Sequence, residues 1–389
     1  MRLFTTGVAS LEIFSLWVAA LAAATPVPDT WSSSLAKRHQ RGRLDGCPDV
    51  HGGSFIINQY QLYPENADWD GDSCLVYFGS LWNATVAIYD PYIDDFITTL
   101  EFANVSHTGT EHIGGVAWDR FTGLVTILVG SAAPWATAGA DVSGTDLVLK
   151  WDPNTQTTLW TVNLTATTQG LYGAFQDIET DKRGYTYVVG TYPGSILRIN
   201  ADGTEVIPWY GPLQTANTTI PGLGGLVALG PEGNLLLAND AGNGSIYRLD
   251  TRDPLAPRTL TEVPIVPDIR FNDTDAIYAP PMYNGTVLLV SSHAAGIQVL
   301  VSPDASWTTA RHVGTIPNPP KDTAADVTNA TIGSVVTAAV QIGPNAVYMI
   351  DEWLFDPWVP GEVAGNRTEF PMPDITAQIK TLLRLRKGV

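Results

Sequence analysis

The chain has 389 residues, 44 % of them hydrophobic and only 15 % charged, with 36 Gly and 27 Pro. That balance describes a turn-rich globular protein with a large core and excludes disorder and coiled coil. Its 39 acidic and 21 basic side chains leave a formal charge of −18, and no Lys/Arg-rich stripe interrupts the acidic background, which excludes nucleic acid as a partner.

At the N-terminus, Arg2, an apolar stretch from Ile13 to Ala24 and the triplet Ala22-Ala23-Ala24 predict a cleavable signal peptide over 1–24 and a secreted product. The apolar run is too short for a stable membrane span. Residues 25–46 are Pro/Ser-rich and then basic, a linker or a propeptide cut at Lys37-Arg38. Asn-x-Ser/Thr sequons begin at Asn83, Asn104, Asn163, Asn217, Asn243, Asn272, Asn284, Asn329 and Asn366, as in a surface shaped by the secretory pathway. Cys47 and Cys74 are the only cysteines, and in an oxidising compartment they most simply form one disulfide that pins the N-terminal arm to the first repeat. Neither has His or Cys neighbours at metal-ligand spacing.

Beyond the arm, a turn followed by an apolar β-rich run recurs six times, from Asp70-Gly-Asp-Ser-Cys-Leu-Val-Tyr-Phe-Gly-Ser80 to Gly343-Pro-Asn-Ala-Val-Tyr-Met-Ile-Asp-Glu352. The copies end at residues 80, 131, 191, 239, 292 and 352, about every fifty residues, the period of a propeller or solenoid. Further strands follow, such as Thr85-Val-Ala-Ile-Tyr89 and Ser245-Ile-Tyr-Arg-Leu249. The prediction is an all-β, six-bladed β-propeller over 47–374, in which radial closure leaves only short sheet edges. A two-sheet sandwich accounts for many short strands but not for the repeat. In the tail, 375–389, Ile375, Ile379, Leu382 and Leu383 fall at the spacing of one short amphipathic helix.

In a propeller the connections after the second strands and the starts of the innermost strands converge on one mouth of the central channel. The sequence puts Trp82, Trp135, Tyr192, Asn239, Asp240, His293, Glu352 and Trp353 in the first set, and His112, Gln176, Asp177, Asp273 and Asp275 in the second. Aromatics with a few acids, amides and imidazoles suit a pocket for an apolar organic molecule held at a few polar points. Trp82, Tyr192 and Trp353 are expected as stacking walls, and Glu352, Asp240 or His293 as the catalytic polar contact. No Gly-x-Ser-x-Gly elbow, His-Glu-x-x-His motif, phosphate-cradling loop or dinucleotide fingerprint is present, and no metal or cofactor is expected.

The stretches Gln61-Leu-Tyr-Pro-Glu-Asn-Ala-Asp68, Gly79-Ser-Leu-Trp-Asn-Ala-Thr-Val-Ala-Ile-Tyr-Asp-Pro91 and His112-Ile-Gly-Gly-Val-Ala-Trp-Asp119 resemble a group of secreted fungal six-bladed propellers encoded in secondary-metabolite clusters. The group includes the hetero-Diels–Alderases of tropolone-sesquiterpenoid pathways of the eupenifeldin and xenovulene types, and the trichothecene-cluster accessory protein is similar. The match runs from about Cys47 to Phe370. The resemblance implies small-molecule substrates: a hydroxymethyl-tropolone that loses water to an o-quinone methide, and a humulene-type alkene that adds across it to form a dihydropyran. It carries over no catalytic motif. Two other readings stand beside it. One is a calcium-dependent lactonase of the senescence-marker/gluconolactonase class, with Asp177, Asn239, Asp240, Asp273 and Asp275 as oxygen ligands but without that class's Glu-Gly-Pro opening. The other is a non-catalytic propeller that binds a glycan or protein.

Overall fold

The structure is a computed structural model that describes residues 46–211, 217–252, 260–318 and 333–385. The predicted signal peptide, the Lys37-Arg38 cleavage point and the Asn329 sequon lie outside the described residues.

Turn chemistry cuts the chain into strands. Asp70 Oδ1 accepts the amide protons of Asp72 (2.8 Å) and Ser73 (3.0 Å). Asp119, Asp181 and Asp250 repeat the device on the amides of Phe121, Arg183 and Arg252. Each carboxylate mimics a backbone turn and reverses the chain between apolar runs.

After β1 (Phe55–Asn58) comes a four-stranded antiparallel sheet of β2 (Pro64–Asp70), β3 (Leu75–Ser80), β4 (Thr85–Asp90) and β5 (Asp95–Leu100). The second sheet is β6 (Glu111–Asp119), β7 (Leu124–Ser131), β8 (Leu147–Asp152) and β9 (Thr157–Asn163), with the short helix α1 (Ala133–Ala136) after β7. Helix α2 (Leu164–Thr168), capped by the Asn163 side chain, leads to the third sheet: β10 (Gly173–Thr180), β11 (Thr186–Tyr192), β12 (Ser195–Ile199) and β13 (Val206–Tyr210). The fourth is β14 (Leu223–Leu229), β15 (Leu235–Asp240), β16 (Ile246–Asp250) and β17 (Thr261–Glu262). The fifth has β18 (Ile265–Val266), β19 (Thr274–Tyr278), β20 (Val287–Ser292), β21 (Gly296–Val301) and β22 (Ala310–Ile316), with β18 parallel to β22 on its outer edge.

These are five blades, not the six expected from the repeat. The sixth copy yields only the two-stranded sheet of β23 (Val335–Ile342) and β24 (Ala346–Glu352). β25 (Glu369–Met372) does not extend it but pairs with β1 of the N-terminal arm. Even so, the first strands of all six sheets, β2, β6, β10, β14, β19 and β23, pack side by side in a closed ring around an axial channel. Glycines permit that ring: a Cβ on Gly114 would stand 2.8 Å from the Phe175 carbonyl oxygen, and one on Gly225 would strike the backbone of Ala276 and Ile277.

The core lies between neighbouring sheets, where Trp151, Trp209 and Trp307 are fully buried. Cys47 and Cys74 form the predicted disulfide. Helix α3 (Thr376–Leu385) buries Ile379, beside Ile375 just ahead of it, with Val347 and Met349 and lays Leu382 over Gly314. No helix among the described residues is long and apolar enough to cross a membrane.

One sequon is closed to glycosylation. Asn83 is 8 % exposed, its Nδ2 donates to the Gln61 carbonyl (3.0 Å) and its Oδ1 faces a ring nitrogen of His107 (3.3 Å). The other described sequon asparagines are exposed. Glycopeptide mapping of secreted protein is expected to find Asn83 unmodified; a glycan there would show that the loop closes only after modification.

Candidate active site

All six first strands carry a β-bulge toward the same end, between Pro64/Asn66, Ile113/Gly115, Phe175/Asp177, Leu223/Leu226, Thr274/Ile277 and Val336/Ala338. A bulge leaves a residue unpaired and re-aims it. Here the re-aimed residues include Glu65, Gln176 and Asp275. They sit at the mouth where first strands begin and second strands end, the mouth expected from the sequence.

There His293 Nε2 lies 2.8 Å from Asp275 Oδ2, the imidazole about one-third exposed and the carboxylate nearly buried. Burial disfavours the imidazolium, but the hydrogen bond and charge of Asp275, helped by Asp273, hold His293 above its ordinary pKa. The Asp275 carbonyl accepts from Asn239 Nδ2 (2.8 Å), while Asn239 Oδ1 accepts the Gly225 amide proton. Gln176 completes this row: its Nε2 and Asn239 Nδ2 flank Gly224, 3.1 and 3.2 Å from where a Cβ would stand. Glu65 borders the channel half-buried, and burial, then the charges of Asp275, Glu352 and Asp177, push its carboxyl well above the carboxylate range. Glu352 is fully buried, neither carboxylate oxygen has a hydrogen-bond partner among the described residues, and burial pushes it up as well.

The remaining predicted residues divide. Trp82 stands edge-on to His112 (5.1 Å) and to Trp358 (5.4 Å), an aromatic corner in which burial lowers His112 to about 4 and keeps it neutral. Trp135, 40 % exposed, and Tyr192 make a separate edge-to-face pair. Asp177 clips two blades together, accepting the amide protons of Leu226 (2.7 Å) and Ile178 (2.8 Å). Asp273 is exposed and lends its carbonyl to the His293 amide. Two expectations are corrected. Asp240 is spent capping its turn through the amides of Gly242 and Asn243. Trp353 is 3 % exposed, between Phe370 and the Arg367 guanidinium, so it is packing rather than a pocket wall.

Glu65 was not picked out from the sequence, because nothing in it marks the bulge. It occupies the unpaired position between two paired residues that Gly114 and Gln176 occupy in their own strands.

Farther down the channel Asp68 accepts the amide protons of Trp69 (2.8 Å) and Trp118 (2.7 Å), and Glu179 follows Asp177. Burial raises Asp68 and Asp177 to about 7 and Glu179 to about 8. The folded state thus keeps protons that the unfolded chain releases near pH ~4, so the stability these groups contribute is full below that pH and is lost as pH climbs toward ~8. Thermal melting is expected at a temperature lower by several degrees at about pH 8 than at about pH 5. A melting temperature that rises over this interval would contradict the neutral carboxyls.

The calcium reading does not fit these residues. Asp177, Asn239 and Asp240 have oxygens on backbone amides, Asp275 Oδ2 is on His293, Asp273 is exposed, and no three His, Cys, Asp or Glu side chains among the described residues converge on a metal position.

No family profile matches the sequence. Among solved structures, the allergen Mala s 1 of Malassezia sympodialis superposes with a TM-score of 0.66 at 17 % identity, over 84 % of this chain and 96 % of its own, which establishes the shared fold. The core trichothecene cluster protein 14 of Fusarium sporotrichioides is 28 % identical over 362 residues, 88 % of this chain and 90 % of the relative. Trichothecene biosynthesis protein 14 of Trichoderma arundinaceum is 31 % identical over 354 residues, 87 % of this chain and 92 % of the relative. Likeness of that degree along nearly the whole of both chains makes this protein a member of the trichothecene biosynthesis protein 14 family.

Proposed function

We propose that this chain is a secreted secondary-metabolite cyclase, a hetero-Diels–Alderase that joins a tropolone o-quinone methide to a humulene-type sesquiterpene. The observation that carries the reading is the Asp275–His293 dyad beside the neutral carboxyl of Glu65 at one channel mouth. A base and an acid so placed suit dehydration of a hydroxymethyl-tropolone. His293, oriented by Asp275, takes the ring hydroxyl proton; Glu65 gives its proton to the side-chain hydroxyl. The C–O bond breaks, water leaves and the o-quinone methide remains. The alkene then adds across it, forming one C–C and one C–O bond with no net oxidation. The imidazolium and the Glu65 carboxylate are reset by proton return through solvent. Trp82 and Trp358 offer aromatic faces to orient the tropolone, and orientation in a partly dry site supplies most of the advantage for the addition.

The test is incubation of the secreted protein with a hydroxymethyl-tropolone and humulene alcohol, reading the enantiomeric excess of the adduct. One dominant enantiomer is expected. A racemic adduct formed at the protein-free rate would leave a binding propeller as the better account.

A further inference from the structure

A second cavity lies away from the Asp275–His293 mouth. It opens at the opposite one, where the first strands end, with a volume of about 620 Å³, in the range of sites for drug-sized ligands. Between the two lies a small pocket of about 50 Å³ lined by Asn66, Asp177, Leu226 and Ala338, room for a water or two at ~30 Å³ each. A ligand in the cavity does not reach His293.

Its walls are chemically selective. Trp69 and Trp118 line it, with both backbone amides fixed by Asp68. Gly71 leaves the Trp118 ring only van der Waals room, since a Cβ there would lie 3.5 Å from it. Tyr278 accepts the Gln341 amide proton (3.1 Å) at its hydroxyl oxygen, which leaves the phenolic O–H to donate. Glu179 is the third polar wall, and burial keeps its carboxyl protonated to about 8, so it too presents a donor. Arg120, the cation at the rim, is committed to the Gly230 carbonyl (2.8 Å) and stacked on Phe121 (4.8 Å). Flat aromatic walls with two donors and, among the described lining residues, no uncommitted cation match a flat, uncharged molecule that brings acceptors.

We propose that this cavity is a second ligand site, which takes an uncharged, planar, conjugated carbonyl compound and is separate from the Asp275–His293 mouth. It stands whether or not the cyclase reading holds.

The test is isothermal titration of the secreted protein with chromone, a planar bicyclic ketone, and with naphthalene, which lacks the acceptor. Chromone is expected to bind once per chain, and naphthalene about tenfold more weakly. Trp118→Ala is expected to weaken chromone by about tenfold or more and Tyr278→Phe by several-fold, with His293→Ala without effect. Tyr278→Phe removes one oxygen from a wall and serves if Trp118→Ala fails to fold. Absence of saturable chromone binding, or binding lost in His293→Ala but kept in Tyr278→Phe, would overturn the proposal.

Discussion

Glu65→Gln is expected to lower the dehydration rate by about 10²- to 10⁴-fold, the usual worth of a positioned general acid. The amide preserves size and hydrogen bonding but has no proton to transfer, so a loss of this order separates acid catalysis from packing. His293→Ala is expected to cost a comparable factor by removing the base. The pH–rate profile gives the second readout. On the proposed mechanism the reacting form has His293 neutral and Glu65 protonated, so loss of rate at low pH reports protonation of His293 and loss at high pH reports ionisation of Glu65, each held above its ordinary pKa. Glu65→Gln is expected to abolish the alkaline limb while the acid limb stays. A variant with wild-type rate and both limbs intact would remove Glu65 from the chemistry.

Lys150→Met is expected to be the most damaging single change to stability outside the hydrophobic core. The Lys150 ammonium reaches Asp119 Oδ2 (3.2 Å), Thr126 Oγ1 (2.9 Å) and Thr180 Oγ1 (3.4 Å), with Lys150 and Asp119 side chains 5 % and 1 % exposed. Burial lowers the lysine pKa, and the Asp119 charge counters it. Asp119 also fixes its turn through the Phe121 amide and the Thr122 hydroxyl, so the three contacts tie β6, β7, β8 and the end of β10 into one unit. Removing the cation alone strands a desolvated carboxylate, at a cost of about 3–5 kcal/mol, or ~4–8 °C in melting temperature for a domain of roughly 300 residues. The double variant Lys150→Met/Asp119→Asn, which removes both charges, is expected to recover part of that loss. Denaturant unfolding of the three variants measures it; a loss below ~1 kcal/mol for Lys150→Met would place the pair with exposed salt bridges.

The sequence by itself determined what local chemistry can specify. Asp and Gly at fixed offsets set the hairpins, apolar runs set the strands, and their recurrence set a radial β architecture, because these depend on residues near one another in the chain. The disulfide followed from there being only two cysteines, and the C-terminal helix from the spacing of Ile375, Ile379, Leu382 and Leu383. The tertiary structure decided everything that depends on which strand meets which. The sixth repeat copy has its own hairpin, but its outer strands depend on distant chain, and β25 pairs with the N-terminal β1 instead, which leaves five blades. The bulges that turn Glu65, Gln176 and Asp275 toward the channel exist only as a mismatch between paired strands, so no residue type announces them. Burial worked the same way on Asn83, a sequon whose amide is taken by Gln61, and on Trp353, an aromatic beside the mouth that Phe370 and Arg367 enclose. Each side chain was legible as a type; its partner came from elsewhere in the chain, and the partner determines whether a polar or aromatic group is spent on the fold or left for a substrate.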